Sequence, residues 1–295
     1  MENQTNLTSP ATVKSLLSKH GLRPKKRLGQ SFLIDRNILD KILNSAELSP
    51  DSQVLEIGPG LGTVTRELAS RARNVAAIEI DKNLIPILHD TLAGFENVEI
   101  IEVDFLKLPL DEFLSERFGP NPCSVVANLP YYITTPIIVR LLETKSRIQL
   151  IVIMAQREVA RRLVAAPGSD DYGAITVFVQ YHCEADIVAQ VSRNVFYPPP
   201  EVDSALVRLR IRPEPAVQPK DEGLFFKVVR AAFGQRRKTI LNALSGSPDL
   251  KLPKSEAENI LKSAGIDAGR RGETLSLEEF AKLADLVLEK LSAVS

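Results

Sequence analysis

From about residue 50 onward, short apolar runs alternate with segments whose apolar positions recur at helical spacing. That alternation predicts a parallel sheet covered by helices. Strands are expected at Val54–Ile57, Val75–Asp81, Val98–Val103, Cys123–Ala127 and Ile148–Ile153, with helices from about Thr63 and around Leu84–Leu92. Pro86 fits the latter helix only near its first turn. Upstream, Ser9, Pro10 and Gly21 have the cap-first, glycine-last arrangement of a helix over 10–21. The stretch Tyr172–Cys183 is ambiguous, because the β-branched content of Ile175–Val179 calls for a strand. After the runs Ile187–Val191 and Ser204–Ile211 comes a Pro-rich linker, 212–219, beyond which the pattern is wholly helical. Helices are predicted at Leu224–Phe233, Lys238–Leu244, Ser255–Ala264 and Ser276–Leu291, and Ser255/Glu258 and Ser276/Glu279 match capping boxes. A domain boundary near residue 213 follows, giving an α/β domain over 1–212 with a helical, basic N-terminal extension, and an all-helical domain over 213–295.

Composition narrows the class without naming it. The chain has 295 residues, 44% of them hydrophobic, which suits a globule with one large and one smaller domain. No apolar stretch reaches membrane-spanning length, and the polar start Met1–Asn6 lacks a secretory or transit pattern, so a cytoplasmic protein is expected. Cys123 and Cys183 lie in apolar runs without metal-ligand spacing; they read as core thiols, and no metal is expected. The formal net charge is zero, yet basic residues cluster at Arg23–Arg27 (with Lys25, Lys26 and Arg27), at Arg157 with Arg161, and at Arg236, Arg237 and Lys238. Such clusters are candidates for contacts with a phosphate backbone.

The strand ends carry the candidate chemistry. Four of the five strands place a glycine or polar residue just past their carboxyl ends, where open α/β sheets bind ligands. The first ends in Gly58-Pro59-Gly60-Leu61-Gly62, whose spacing departs from the dinucleotide fingerprint because residue 63 is Thr. The second ends at Glu79, a carboxylate able to accept from ribose hydroxyls. The third ends at Asp104, which could accept an adenine amino group, and the fourth at Asn128-Leu129-Pro130-Tyr131. Asn128 offers a neutral acceptor, the residue before Pro is held extended with its carbonyl projecting, and Tyr131 offers a flat face to a nucleobase. Glu56 could orient the glycine loop or face a ligand directly.

Asn128-Leu129-Pro130-Tyr131 resembles the signature of N6-adenine methyltransferases, and the ordered strand ends resemble those of class I S-adenosylmethionine-dependent methyltransferases. Together with Leu28–Leu33, Glu56–Gly62, Phe196–Ser204 and Ala232–Thr239, they look like the bacterial KsgA family, the small-subunit ribosomal RNA adenine dimethyltransferases. The resemblance covers about residues 20–285. It implies a Rossmann-like sheet with helices on both faces and a small helical C-terminal RNA-binding domain, and it makes Tyr172–Cys183 a helix. It also implies dimethylation of two adjacent adenosines in a hairpin loop near the 3′ end of small-subunit rRNA.

By the same resemblance the cofactor contacts would be Ser31, Leu33, Gly58, Glu79, Asp104 and Asn128. Ser31 stands where the family commonly has Asn, and its shorter hydroxyl would donate to the cofactor carboxylate directly, or act through water or the backbone only. Asn128 and the Leu129 carbonyl would accept from the amine, with Pro130 shaping the loop and Tyr131 and Phe196 walling the base. No general base is needed, because the proton becomes acidic once nitrogen is alkylated, and His20, His89 and His182 read as structural. The expected partner is small-subunit rRNA in an assembling subunit, met by a monomer. The competing readings are an erythromycin-resistance-type methyltransferase of large-subunit rRNA and an assembly factor for which methylation is secondary.

Overall fold

The computed structural model describes residues 6–25, 28–129, 133–144, 147–235 and 237–292. The N-terminal segment forms α1 (Pro10–Lys19), the two-residue strand β1 (Phe32–Leu33) and α2 (Arg36–Ser45), which Asp35 caps by accepting from the Ile38 amide. The expected strands follow as β2 (Gln53–Ile57), β3 (Asn74–Glu79), β4 (Val98–Glu102), β5 (Cys123–Asn128) and β6 (Ile148–Gln156). Between them run α3 (Thr63–Ala69), α4 (Ile85–Thr91), α5 (Leu110–Phe118) and α6 (Thr134–Glu143). Pro86 sits in the first turn of α4. Next come α7 (Arg157–Val164), α8 (Ala174–His182), β7 (Cys183–Val191), β8 (Phe196–Tyr197) and β9 (Ser204–Ile211).

The main sheet has the order β4-β3-β2-β5-β6-β9-β7, with β2 to β6 parallel and β9 antiparallel to β6. Burial of both faces explains why β2 reads as an unbroken buried run rather than an alternating one. On one face, Ile38, Leu39 and Ile42 of α2 and Val64 and Leu68 of α3 share a core with Val54, Val126, Val152 and Leu206 of the sheet. The strand order reverses between β2 and β5, the switch point at which such sheets open a crevice. A second ribbon pairs β1 antiparallel with β8, Leu33 opposite Phe196 and Phe32 opposite Tyr197.

The chain divides into two compact units, Met1–Ala160 with Ala185–Ile211, and Arg161–Glu184 with Arg212–Ser295. The second contains α8, α9 (Glu222–Phe233), α10 (Ile240–Ser245), α11 (Lys254–Ala264) and α12 (Leu277–Ser292). Residues 161–184, expected with the first domain, therefore pack with the helical one. Tyr181 explains why: its ring lies 5.1 Å from those of both Phe225 and Phe226, inside a core with Val177, Val228 and Leu283. The same burial makes Tyr172–Cys183 a helix through most of its length. Thr176, Val177, Val179 and Tyr181 are buried on α8, which outweighs a β-propensity worth at most about 1 kcal/mol per residue.

The capping expectations divide. Ser276 and Glu279 form the reciprocal pair, the Ser276 amide donating to Glu279 at 2.9 Å and the Glu279 amide to the Ser276 hydroxyl at 3.3 Å. Ser255 and Glu258 do not, because α11 starts earlier, at Lys254 after Pro253, which leaves both inside the helix. Among the described residues no helix is long and apolar enough to cross a membrane.

Candidate functional site

The carboxyl ends of β2 to β5 open onto one cleft, walled on the far side by the β1–β8 ribbon. It is lined by all the expected cofactor residues, Ser31, Leu33, Gly58, Glu79, Asp104 and Asn128, and by Leu129 and Phe196. Pro130 and Tyr131 lie outside the described residues.

Close approach of backbones shapes the floor. The Gly58 amide donates to the Ile78 carbonyl at 2.9 Å, and a Cβ on Gly58 would lie 3.2 Å from the Asn128 carbonyl oxygen. Gly58 also has φ +76°, a conformation that side chains disfavour. Its lack of a side chain thus lets three strand ends meet. Gly60, at φ +60°, would bring a Cβ to 3.2 Å from the Phe32 ring in the opposite wall.

Asn128 ends β5, and its side-chain NH2 donates to the Ser31 carbonyl at 3.4 Å. This engages one N–H of the amide with the N-terminal segment and leaves Oδ1 as an acceptor. Ser31 thus contributes through its backbone, by a contact to Asn128 that the sequence did not anticipate. Asp104 accepts from the Leu106 amide at 3.0 Å, which caps the short turn Phe105–Lys107 and fixes the carboxylate at the mouth of β4.

Three acidic groups differ in charge state. Glu79 is 5% exposed and accepts from the Asp81 amide at 2.7 Å; burial, opposed by backbone hydrogen bonds, pushes its carboxyl up to about 7. Glu56 is 3% exposed, its Oε2 has no partner among the described residues, and burial raises it to about 8. For Asp81 burial acts upward too, but hydrogen bonds from Lys25, Asn83 and Gln30 prevail and hold it at about 2. Lys25 Nζ and Gln30 Nε2 each reach Asp81 at 2.7 Å, tying the segment before β1 to the end of β3.

Neither Asp81 nor Gln30 was expected from the sequence. Arg140 was not either. Ile133, just before α6, and Ile137 and Arg140 on it follow at helical spacing; the first two line the cleft, and Arg140 donates to the carbonyls of Leu106, at 2.8 Å, and Leu108. The helix after the Asn128 loop is thereby fastened to the turn after Asp104.

The basic candidates separate. Lys25 is half-buried and internal, bound to Asp81. Arg157 and Arg161 are exposed and loosely paired, with Asp203 at 3.7 Å and Asp171 at 3.4 Å. Arg237 and Lys238 are exposed just before α10. Lys26, Arg27 and Arg236 lie outside the described residues. Among the described residues, no cluster of His, Cys, Asp and Glu is placed to hold a metal ion.

A sequence profile described as ribosomal RNA adenine dimethylase matches residues 21–287. The chain belongs to this family. The dimethylase relatives include proteins called ribosomal RNA small subunit methyltransferase A. The one from Alkaliphilus metalliredigens is 49% identical, covering 94% of this chain and 96% of the relative. That from Clostridioides difficile is 47% identical, covering 97% and 99%. Among solved structures, a dimethyladenosine transferase from Plasmodium falciparum superposes with a TM-score of 0.72 at 28% identity, over 85% of this chain and 95% of that one. The 23S rRNA methyltransferase ErmE superposes with a TM-score of 0.67 at 34% identity, over 87% and 99%. Class I methyltransferase architecture accounts for the cleft of this dimethylase at the β2/β5 switch point.

The residues present fit S-adenosylmethionine. Two glycines let a ligand approach the backbone, Glu79 offers a carboxylate to a ribose, and the orphaned Glu56 Oε2 matches a ligand that carries an ammonium group.

Proposed function

We propose that this protein transfers methyl groups from S-adenosylmethionine to the N6 amines of two adjacent adenosines in the 3′-terminal hairpin loop of small-subunit rRNA. The observation that carries this reading is the Asn128 amide, held by the Ser31 carbonyl at the end of β5 in the same cleft as Gly58, Glu79 and Asp104. The cofactor, when bound, supplies a methyl already activated on a sulfonium. Glu79 would hold the ribose, Asp104 the adenine amino group and Gly58 the close backbone approach, with Ser31 and Leu33 on the opposite wall. Asn128 Oδ1 and the Leu129 carbonyl would accept from the target amine and orient its lone pair, with Phe196 and Tyr131 enclosing the base. Pre-positioning of this kind is a recognised source of rate, and no proton acceptor is required before attack.

Near-full-length similarity at about half identity favours the small subunit over the large-subunit target of the more distant ErmE. Arg157, Arg161, Arg237 and Lys238 would contact phosphates, as would Lys26, Arg27 and Arg236; for Arg157 and Arg161 the acidic neighbours are surface pairs of little worth. The helical unit would serve RNA binding, and the protein would act as a cytoplasmic monomer on an assembling subunit. Incubation with labelled S-adenosylmethionine and unmethylated small subunits, followed by mass spectrometry of the RNA, tests the reading. Two adjacent dimethyladenosines are expected from the wild type and none from Asn128→Ala. Label confined to large-subunit RNA would refute it.

A further inference from the structure

The first unit has a second hollow that neither the cleft nor the sequence motifs use. It lies between α1, the segment after it and β8, lined by Lys14, Ser18, Gly21, Arg23 and Tyr197 among others. Phe196 and Tyr197 are consecutive in β8, and successive strand side chains project to opposite faces. Phe196 lines the cleft and Tyr197 the hollow. Phe32, opposite Tyr197, lines the cleft as well, so the β1–β8 ribbon borders both sites and joins them.

The chemistry of the hollow is one-sided. Lys14 Nζ stands 5.3 Å from the centre of the half-buried Tyr197 ring, and Arg23 is exposed at the rim. Among the described residues no acidic side chain lines it. Neither Lys14 nor Arg23 belongs to an ion pair among the described residues, whereas their neighbours do: Lys19 and His20 share Asp90, and Lys25 holds Asp81. Two unneutralised cations beside an aromatic face fit a phosphate with its attached sugar or base.

We propose that this hollow is a nucleotide subsite, in which Lys14 and Arg23 hold the phosphate of the nucleotide next to the adenosine in the cleft while Tyr197 lies against its sugar or base. The proposal rests on reading the cleft as an adenine pocket. A strand of RNA offers a phosphate at every residue, so a strand with one base in the cleft carries neighbouring phosphates along the ribbon that borders both sites. An isolated phosphate or an acidic peptide would lack that coupling.

The test compares wild type with Lys14→Glu/Arg23→Glu, both exposed positions, and with Tyr197→Phe and Tyr197→Ala. S-adenosylmethionine affinity and thermal melting verify that each variant is folded. Binding is measured across a salt series with a single-stranded oligonucleotide carrying two adjacent adenosines and with one lacking adenosine. For the charge-reversed variant, affinity for the adenosine oligonucleotide should fall at least about tenfold, and the slope of log K against log salt should become shallower by about 0.7 per phosphate lost. Tyr197→Phe should bind as the wild type does and Tyr197→Ala more weakly. Unchanged affinity and slope would overturn the subsite, as would an equal loss on both oligonucleotides, which marks a diffuse field or an acidic-peptide site. Wild-type protein that binds cofactor but methylates no adenosine of small-subunit RNA would overturn the reading of the cleft, and the subsite with it.

Discussion

At Gly58 a single hydrogen atom separates a working cleft from a distorted one. Gly58→Ala would face φ +76° and a contact of 3.2 Å with the Asn128 carbonyl, so stability should fall by about 1–2 kcal/mol. The larger effect is expected in methyl transfer, because the contact pushes on the residue that orients the amine; single-turnover rates set beside melting temperatures would separate the two. Glu56 and Glu79, raised to about 8 and about 7, are largely or partly protonated at neutral pH, whereas an ammonium group and ribose hydroxyls favour their ionised forms. Cofactor binding at pH 7 should therefore release roughly one to two protons. Calorimetry in buffers of different ionisation enthalpy reads that number directly, and zero release would contradict the assignment. The strand-end residues were legible in the sequence because a parallel sheet forces its carboxyl ends to one edge. Asp81, Gln30 and Arg140 were not, since each acts through partners more than 30 residues away in the chain.

Among the elements, α6 has the most to lose from one substitution. Arg140→Met would free two carbonyls in the turn after Asp104, each hydrogen bond to a charged group being worth about 1.5–3 kcal/mol. The KM for S-adenosylmethionine should rise by about tenfold or more with kcat nearly kept, because the turn shapes the cofactor end of the cleft rather than the amine. Steady-state kinetics with saturating RNA would check the split. The alternating strands and helices were readable because buried parallel strands are continuous apolar runs. The β1–β8 ribbon was not, because a two-residue strand has no period to detect and exists only by pairing across more than 160 residues. In α8 the β-branched residues left the pattern ambiguous while the family resemblance implied a helix, and contact with Phe225 and Phe226 supplies the physical reason for it.

For the molecule as a whole, the buried acids set how stability responds to pH. Glu56 has a folded-state pKa of about 8, above the ordinary carboxylate value of 4.5, so the native state holds a proton that the unfolded chain releases. Stability of the cofactor-free protein should decline as pH rises from about 5 to 8, on the order of 1 kcal/mol per unit from this group. Glu56→Gln should flatten that decline in denaturant melts. The division into two units was only partly visible in the sequence, since residues 161–184 join the helical unit through space while residues 185–211 return the chain to the first unit. One detail reaches through to turnover itself. With one N–H of the Asn128 amide held by the Ser31 carbonyl, Oδ1 would be the atom turned to the target and would favour amines that still carry hydrogen. In the proposed reaction the unmodified amine has two hydrogens, the singly methylated one has one, and the finished base has none. An unmet buried acceptor costs about 1–3 kcal/mol. The finished base is then the poorest ligand of the three, so completion of the chemistry is also the signal for departure.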